Sequence, residues 1–271
     1  MTRIAVHGAS GRMGRQVIAA VAEDPKAQLV AALVRAGSPA LGQDAGVFAG
    51  LGRELQVPIT ADMQAGLATA DVLIDFSLPS GMLSVLAACA EAGVPAVVGT
   101  TGFGEAGQAA LDRLATVAPV VFAPNFSVGV NVFWALARRA VQYLGADTDV
   151  EIVEMHHRHK VDAPSGTARR LLEVVADARG QAEVVDKVAR HGRQGQVGAR
   201  TAEEIGVHAL RGGDVVGEHT LIMAPAGERI ELTHRAHGRE IFARGAVRAS
   251  HWVTGQVCGR YGMEDVLGLA D

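Results

Sequence analysis

Cysteine is scarce: Cys89 and Cys258 are the only two in 271 residues, and they stand far apart with no C-x-x-C spacing. That argues against a disulfide scaffold and a zinc ribbon, and suits a reducing compartment. Aromatic residues make up only 4% of the chain, so a core must come from Ala, Val, Leu and Ile. The aromatic interleaving that stacks single-stranded bases is missing too. Positive charge is not in excess, since the net charge is −4 with the histidines neutral, and nucleic acid is not expected as a partner. No apolar run approaches the ~20 residues that span a bilayer. The segment Met1–Gly8 meets glycine after a few apolar residues, without the apolar stretch of a secretory signal. The expectation is a cytoplasmic protein with no membrane partner.

Glycine is abundant, with 33 residues against an ordinary ~7%. The glycines are spread along the chain, which points to tight strand-to-helix turns rather than a linker. At ~150 residues per domain, the length suits two domains. In the first half, short apolar runs at Arg3–His7, Gln28–Val34, Val72–Phe76, Ala96–Val98 and Val120–Phe122 alternate with helical patterns near 12–23, 80–91 and 105–117. That alternation predicts an α/β fold with a parallel sheet. The stretch 36–54 reads as a long loop. After Asn125 the pattern changes: a helix over Val130–Leu144, a strand over Asp149–Met155, and a helix opening at Pro164, a residue suited to the first helical position. Residues 186–200 read as an exposed loop. Extended segments at Glu203–Leu210, Asp214–Met223 and Glu228–His234 read as a meander, with hairpin turns at 211–214 and 225–227. Apolar residues at Leu221–Met223 and Ile230–Leu232 suggest burial between subunits. A last helix covers about 239–253.

The run Gly8-Ala9-Ser10-Gly11-Arg12-Met13-Gly14 falls between the first strand and the first helix. Glycine lets a backbone turn sharply and approach a pyrophosphate, and the helix start supplies free N–H groups. The spacing is G-x-x-G-x-x-G rather than G-x-G-x-x-G, so a turn that only packs helix on strand is the alternative. The second strand ends Val34-Arg35, without the acid that holds the ribose hydroxyls of NAD. Arg35 suits the 2′-phosphate of NADPH, or is an ordinary surface arginine. Gly99-Thr100-Thr101 and Ala123-Pro124-Asn125-Phe126 follow two further strands, where open α/β sheets bind ligands.

The most informative stretch runs from Glu154 to Ala168. His156, His157, Arg158, His159 and Lys160 are consecutive, directly after an apolar strand. Three readings suit them. Imidazoles can hold a metal, although two neighbouring cations and the lack of a nearby cysteine oppose it, and no metal is expected. A solvated basic corner is the second. The third is an anion site with proton transfer: a histidine titrating near neutrality, Lys160 as a point charge, and the amides of Ser165, Gly166 and Thr167 at a helix start.

With these residues in view, the chain closely resembles the 4-hydroxy-tetrahydrodipicolinate reductase (dihydrodipicolinate reductase) family of the diaminopimelate route to lysine. The matching motifs are the glycine turn through Arg12-Met13-Gly14, Gly99-Thr100-Thr101-Gly102, Asn125 through Asn131, Glu154 through Ala168, and Gly217-Glu218-His219-Thr220. The resemblance implies a Rossmann-like doubly wound parallel sheet over 1–127, completed by 238–271. It implies a second α+β domain over 128–237, with a mixed or antiparallel sheet, that binds substrate and forms a homotetramer. It further implies His156 as proton donor and acceptor and Lys160 as a second proton donor, with His157, Ser165, Gly166, Thr167 and Arg239 toward the substrate, a small cyclic imine dicarboxylate. Cofactor contacts, to NADPH or NADH, would come from Gly8, Gly11, Arg12, Met13, Arg35, Gly99, Thr100, Thr101, Ala123, Asn125 and Phe126. Val34 departs from the family, many of whose members carry an acid there. A semialdehyde dehydrogenase would need an activated cysteine, and Cys89 and Cys258 read as structural. A dinucleotide-sensing regulator would usually need a DNA-binding element, which this composition lacks.

Overall fold

Residues Gly14, Val17, Ile18 and Val21 recur at the spacing of one helix face and are all buried. They press the first helix onto the first strand, whose Ile4 and Val6 share their core. In the computed structural model, which describes residues 1–269, this pairing of strand and helix repeats: β1 (Thr2–His7), α1 (Arg12–Glu23), β2 (Ala27–Leu33), α2 (Ala45–Ala49), β3 (Ile59–Thr60), α3 (Met63–Ala68), β4 (Val72–Asp75), α4 (Pro79–Ala92), β5 (Ala96–Val98), α5 (Glu105–Ala115) and β6 (Pro119–Phe122). There follow α6 (Val128–Leu144), β7 (Asp149–His156), α7 (Gly166–Ala178), α8 (Val185–Val188), β8 (Ala189–His191), β9 (Ile205–Arg211), β10 (Gly217–Ala224) and β11 (Ile230–Ala236). The chain ends with α9 (Glu240–Val253), β12 (Gly259–Tyr261) and α10 (Met263–Leu267).

The chain forms two compact units, Met1–Val128 with the segment from Arg239 onward, and Gly129–Gly238. The first unit holds a seven-stranded sheet in the order β12-β6-β5-β4-β1-β2-β3, and every pairing in it is parallel. The order reverses between β1 and β4, the doubly wound arrangement whose crevice at the strand ends takes ligands. All four residues of β4 are buried, as expected of a strand covered on both faces. The C-terminal segment completes this sheet through β12, beside β6.

The second unit carries a mixed five-stranded sheet, β11-β10-β7-β9-β8. Here the predicted meander is only half right. The turn at 225–227 does join an antiparallel pair, β10 and β11, but β9 and β10 are not neighbours. β7 lies between them, antiparallel to β10 and parallel to β9. Its Val150 and Ile152 enter the unit's core, and that burial outweighs the local hairpin signal. The glycines at 212–213 therefore carry the chain over the end of β7, where the Gly212 amide donates to the His156 carbonyl at 2.9 Å. The 186–200 segment is not all loop, since it contains most of α8 and the edge strand β8. Within 36–54, the Asp44 carboxylate caps α2, an element too short to show a helical period. Leu221 and Met223, expected between subunits, are fully buried in the unit's own core. Among the described residues no helix is long and apolar enough to cross a membrane.

Close packing leaves Gly14 no alternative. A Cβ there would lie 2.1 Å from the Gly8 carbonyl oxygen. Gly14→Ala is expected to cost about 1–3 kcal/mol of overpacking, read as a lower Tm. Gly104→Ala, with nothing within 4 Å of its Cβ position, should move Tm little. Equal shifts for the two would contradict the packing role.

Candidate active site

The alternation of β7 puts Val150, Ile152, Glu154 and His156 on its buried side. Two core residues are thus followed by a carboxylate and an imidazole. Glu154 has no exposed surface. Its Oε2 accepts from His156 Nδ1 at 2.6 Å and Arg211 Nη1 at 2.8 Å. Its Oε1 accepts from Arg211 Nη2 at 3.0 Å and the Ser165 amide at 3.1 Å. Burial by itself would raise this carboxyl, but Arg211, His156 and the Ser165 amide outweigh it and hold Glu154 below the ordinary range. An ionised carboxylate only accepts, so His156 presents its Nδ1–H to it and keeps Nε2 for chemistry. Gly217 makes room for that atom, because a Cβ there would sit 3.0 Å from Nε2. Burial pushes His156 below the usual histidine value, against the pull of Glu154.

His219 of β10 packs edge-on against His156, with centroids 5.2 Å apart. Its Nε2 meets Ser165 Oγ at 3.1 Å, and burial drives its pKa down to about 3, so it is neutral. Beyond β7, Lys160 Nζ pairs with Asp162 Oδ1 at 2.8 Å. His157 is half-buried, and its Nδ1 has no hydrogen-bond partner. The helix expected to open at Pro164 opens at Gly166, after a cis Ala163–Pro164 bond. Ser165 is its N-cap, accepting from the Ala168 amide at 3.2 Å, a role serine fills well. The Ser165 amide, expected to face an anion, is engaged by Glu154, and Ser165 is only 2% exposed. Gly166 is exposed, with nothing within 4 Å of its Cβ position, and Thr167 follows it in the first turn. His156, His157, Lys160, Ser165, Gly166 and Thr167 thus all belong to the second unit. Arg239 does not: it precedes α9 in the first unit.

In the first unit, Gly8 turns the chain after β1 with φ +77, and a Cβ there would lie 2.5 Å from the Phe76 carbonyl oxygen, so glycine is required. Gly11 starts α1 without a side-chain cap, which leaves amides and the helix dipole for a phosphate. Beside it lies a cavity of about 340 Å³, lined by Arg12, Met13, Gly99, Thr101, Asn125 and Phe126 together with Arg239. Thr100 and Ala123 are each 3% exposed, so their side chains are structural. Thr100 Oγ1 donates to Asp75 Oδ2 at 2.7 Å, and Asp75 Oδ1 takes His7 Nδ1 at 2.7 Å. Arg35 is exposed just past β2. An uncapped helix start, two arginines and a polar strand-end rim fit a nicotinamide dinucleotide. Burial pushes the Cys89 thiol up to about 12, which removes it as an activated nucleophile. Among the described residues no group of three or more His, Cys, Asp or Glu could hold a metal ion.

Family models for the N-terminus and the C-terminus of dihydrodipicolinate reductase match residues 2–126 and 129–267. The chain belongs to the dihydrodipicolinate reductase family. It is 55% identical over 268 residues to the 4-hydroxy-tetrahydrodipicolinate reductase of Alkalilimnicola ehrlichii, covering 99% of each chain. The enzyme of that name from Syntrophotalea carbinolica is 51% identical over 269 residues, covering 99% of this chain and all of that one (100%). A solved dipicolinate-bound dihydrodipicolinate reductase from Paenisporosarcina sp. TG-14 is 26% identical with a TM-score of 0.77, covering 98% of this chain and 99% of that one. This family member is therefore an oxidoreductase with a nicotinamide cofactor.

Glu154 and Arg211 carry no role in a reading of the reductase's sequence. Strand alternation held the signal for Glu154, a carboxylate in phase with Val150 and Ile152. Arg211 gave none, standing 57 positions away. His219 makes stability depend on pH. The unfolded chain binds its proton near 6.5 and the folded chain only near 3, so stability is lost as pH falls through that window. Denaturant midpoints should fall with acid, and less steeply in His219→Gln. His156 and His234 are shifted the same way, so some slope remains. An unchanged slope in the variant would sink the assignment.

Proposed function

We propose that this reductase converts dihydrodipicolinate, or its hydroxylated precursor, to tetrahydrodipicolinate, with His156 as proton donor and Lys160 as the charge that meets a substrate carboxylate. The observation that carries the roles is the Glu154-held imidazole, with Lys160 and the start of α7 in the same unit. A nicotinamide cofactor, held by the Gly8–Met13 turn and the cavity beside it, would supply the hydride that reaches a ring carbon. His156 Nε2 then delivers a proton at the adjacent carbon. A dianionic substrate favours the charged imidazole and so offsets the burial that keeps His156 neutral in the free protein. Lys160 exchanges Asp162 for one carboxylate, while Gly166 and Thr167 receive the other at the helix start, beside His157. General acid catalysis of this kind is worth roughly 10²–10⁴-fold.

Arg35, without an acid at Val34, favours acceptance of NADPH at least as well as NADH. The face of the second sheet opposite its core carries Val153, Met155 and Ile222, with Leu210 49% exposed. There the subunits of a homotetramer would meet. The two free thiols suit a cytoplasmic protein.

NADPH oxidation with and without the cyclic imine tests the activity. His156→Gln should lower kcat by roughly 10²–10⁴ and change KM less; a near-normal kcat would remove the proton-donor role. Lys160→Met should raise KM, and a fall in kcat as well would mark a second proton donor. Arg35→Ala should weaken NADPH binding by about 1–3 kcal/mol and spare NADH. Equal losses for both cofactors would refute the 2′-phosphate assignment.

A further inference from the structure

We infer that Glu154 and Arg211 are positioning residues for the proton transfer: Glu154 fixes the tautomer of His156, and Arg211 ties that carboxylate to the loop carrying Lys160. The inference rests on the proton-donor role proposed for His156. Arg211 ends β9, at the point where the chain leaves to pass over β7. Its fork serves three partners at once. Besides both oxygens of Glu154, Nη2 donates to the Asp162 carbonyl at 2.6 Å, and Nη1 to the Leu210 carbonyl at 2.6 Å. Asp162 is also the residue whose side chain holds Lys160. One guanidinium therefore spans the support of the proton donor and the backbone beside the second cation.

The chemistry of the pair explains the residue types. A fully buried carboxylate with its main cation removed is destabilised and tends to take up a proton. A protonated Glu154 no longer forces His156 to present Nδ1–H, and the atom left for the substrate becomes undefined. Lysine cannot replace Arg211, because a point charge does not bridge two carboxylate oxygens and a carbonyl in one plane. The groups facing His156 are Glu154 on its own strand, Lys160 on the following loop, Arg211 from β9 and His219 from β10. Glu154 alone raises its proton affinity. Glu154→Gln therefore leaves only cations and a neutral ring around it.

The test compares kcat, KM and NADPH binding across pH in Glu154→Gln, Arg211→Ala and Arg211→Lys. Glu154→Gln should lower kcat by about 10–100-fold, the scale on which partners that orient a functional imidazole matter. It should also move the alkaline fall of kcat to lower pH. NADPH affinity should be unchanged, and the variant's thermal transition reports its folding. Arg211→Ala should lose kcat similarly and regain it saturably with added guanidinium ion, below denaturing concentrations, while Arg211→Lys stays impaired. If Glu154→Gln fails to fold, Glu154→Asp serves: it keeps the charge but withdraws it by one methylene, and a normal kcat there overturns the inference. So does an unshifted pH profile in Glu154→Gln, or a fully active Arg211→Lys, provided that His156→Gln is impaired. A near-normal kcat in His156→Gln would instead remove the reading beneath it.

Discussion

A carboxylate with no exposed surface must have its oxygens answered by donors, and the second unit is arranged around that requirement at Glu154. Four donors reach it, from His156, Arg211 twice, and the Ser165 amide. Each donor fixes something else in turn. His156 is held with one nitrogen committed. The Ser165 amide sets the start of α7, where the cap and not the proline begins the helix. Arg211 draws the end of β9 over the end of β7 and holds the loop at Asp162.

The first unit repeats the device at another strand end. Asp75, also without exposed surface, closes β4 and takes hydrogen bonds from His7 at the end of β1 and Thr100 after β5. The three strands meet at the reversal of sheet order, beside the glycine turn. A buried acid there locks the relative height of the loops that rim the cofactor cavity. In both units a desolvated carboxylate, costly by itself, is offset by donors that also position the site.

Much of this was legible in the sequence, and for a physical reason. The alternation of apolar runs with amphipathic helices fixes the parallel sheet, since period and length are local properties. The glycine turn and the histidine stretch are local too. What escaped was set by distant partners. β9 reads as half of a hairpin, but β7 takes the place beside it because its Val150 and Ile152 enter the unit's core. Pro164 reads as a helix start until Glu154 claims the next amide. Short elements such as α2 and β8 have too few residues to display a period.

The central claim is that Glu154 sets the tautomer of His156 and that a dianion charges the ring. Long-range proton–nitrogen NMR of the histidine rings, with His156 assigned by its loss in His156→Gln, reports this directly. Near neutral pH the free protein should show His156 protonated on Nδ1 and bare on Nε2, and added dipicolinate should convert it to the imidazolium. A ring carrying its proton on Nε2 in the free protein, or one that the dianion leaves unchanged, would contradict the claim.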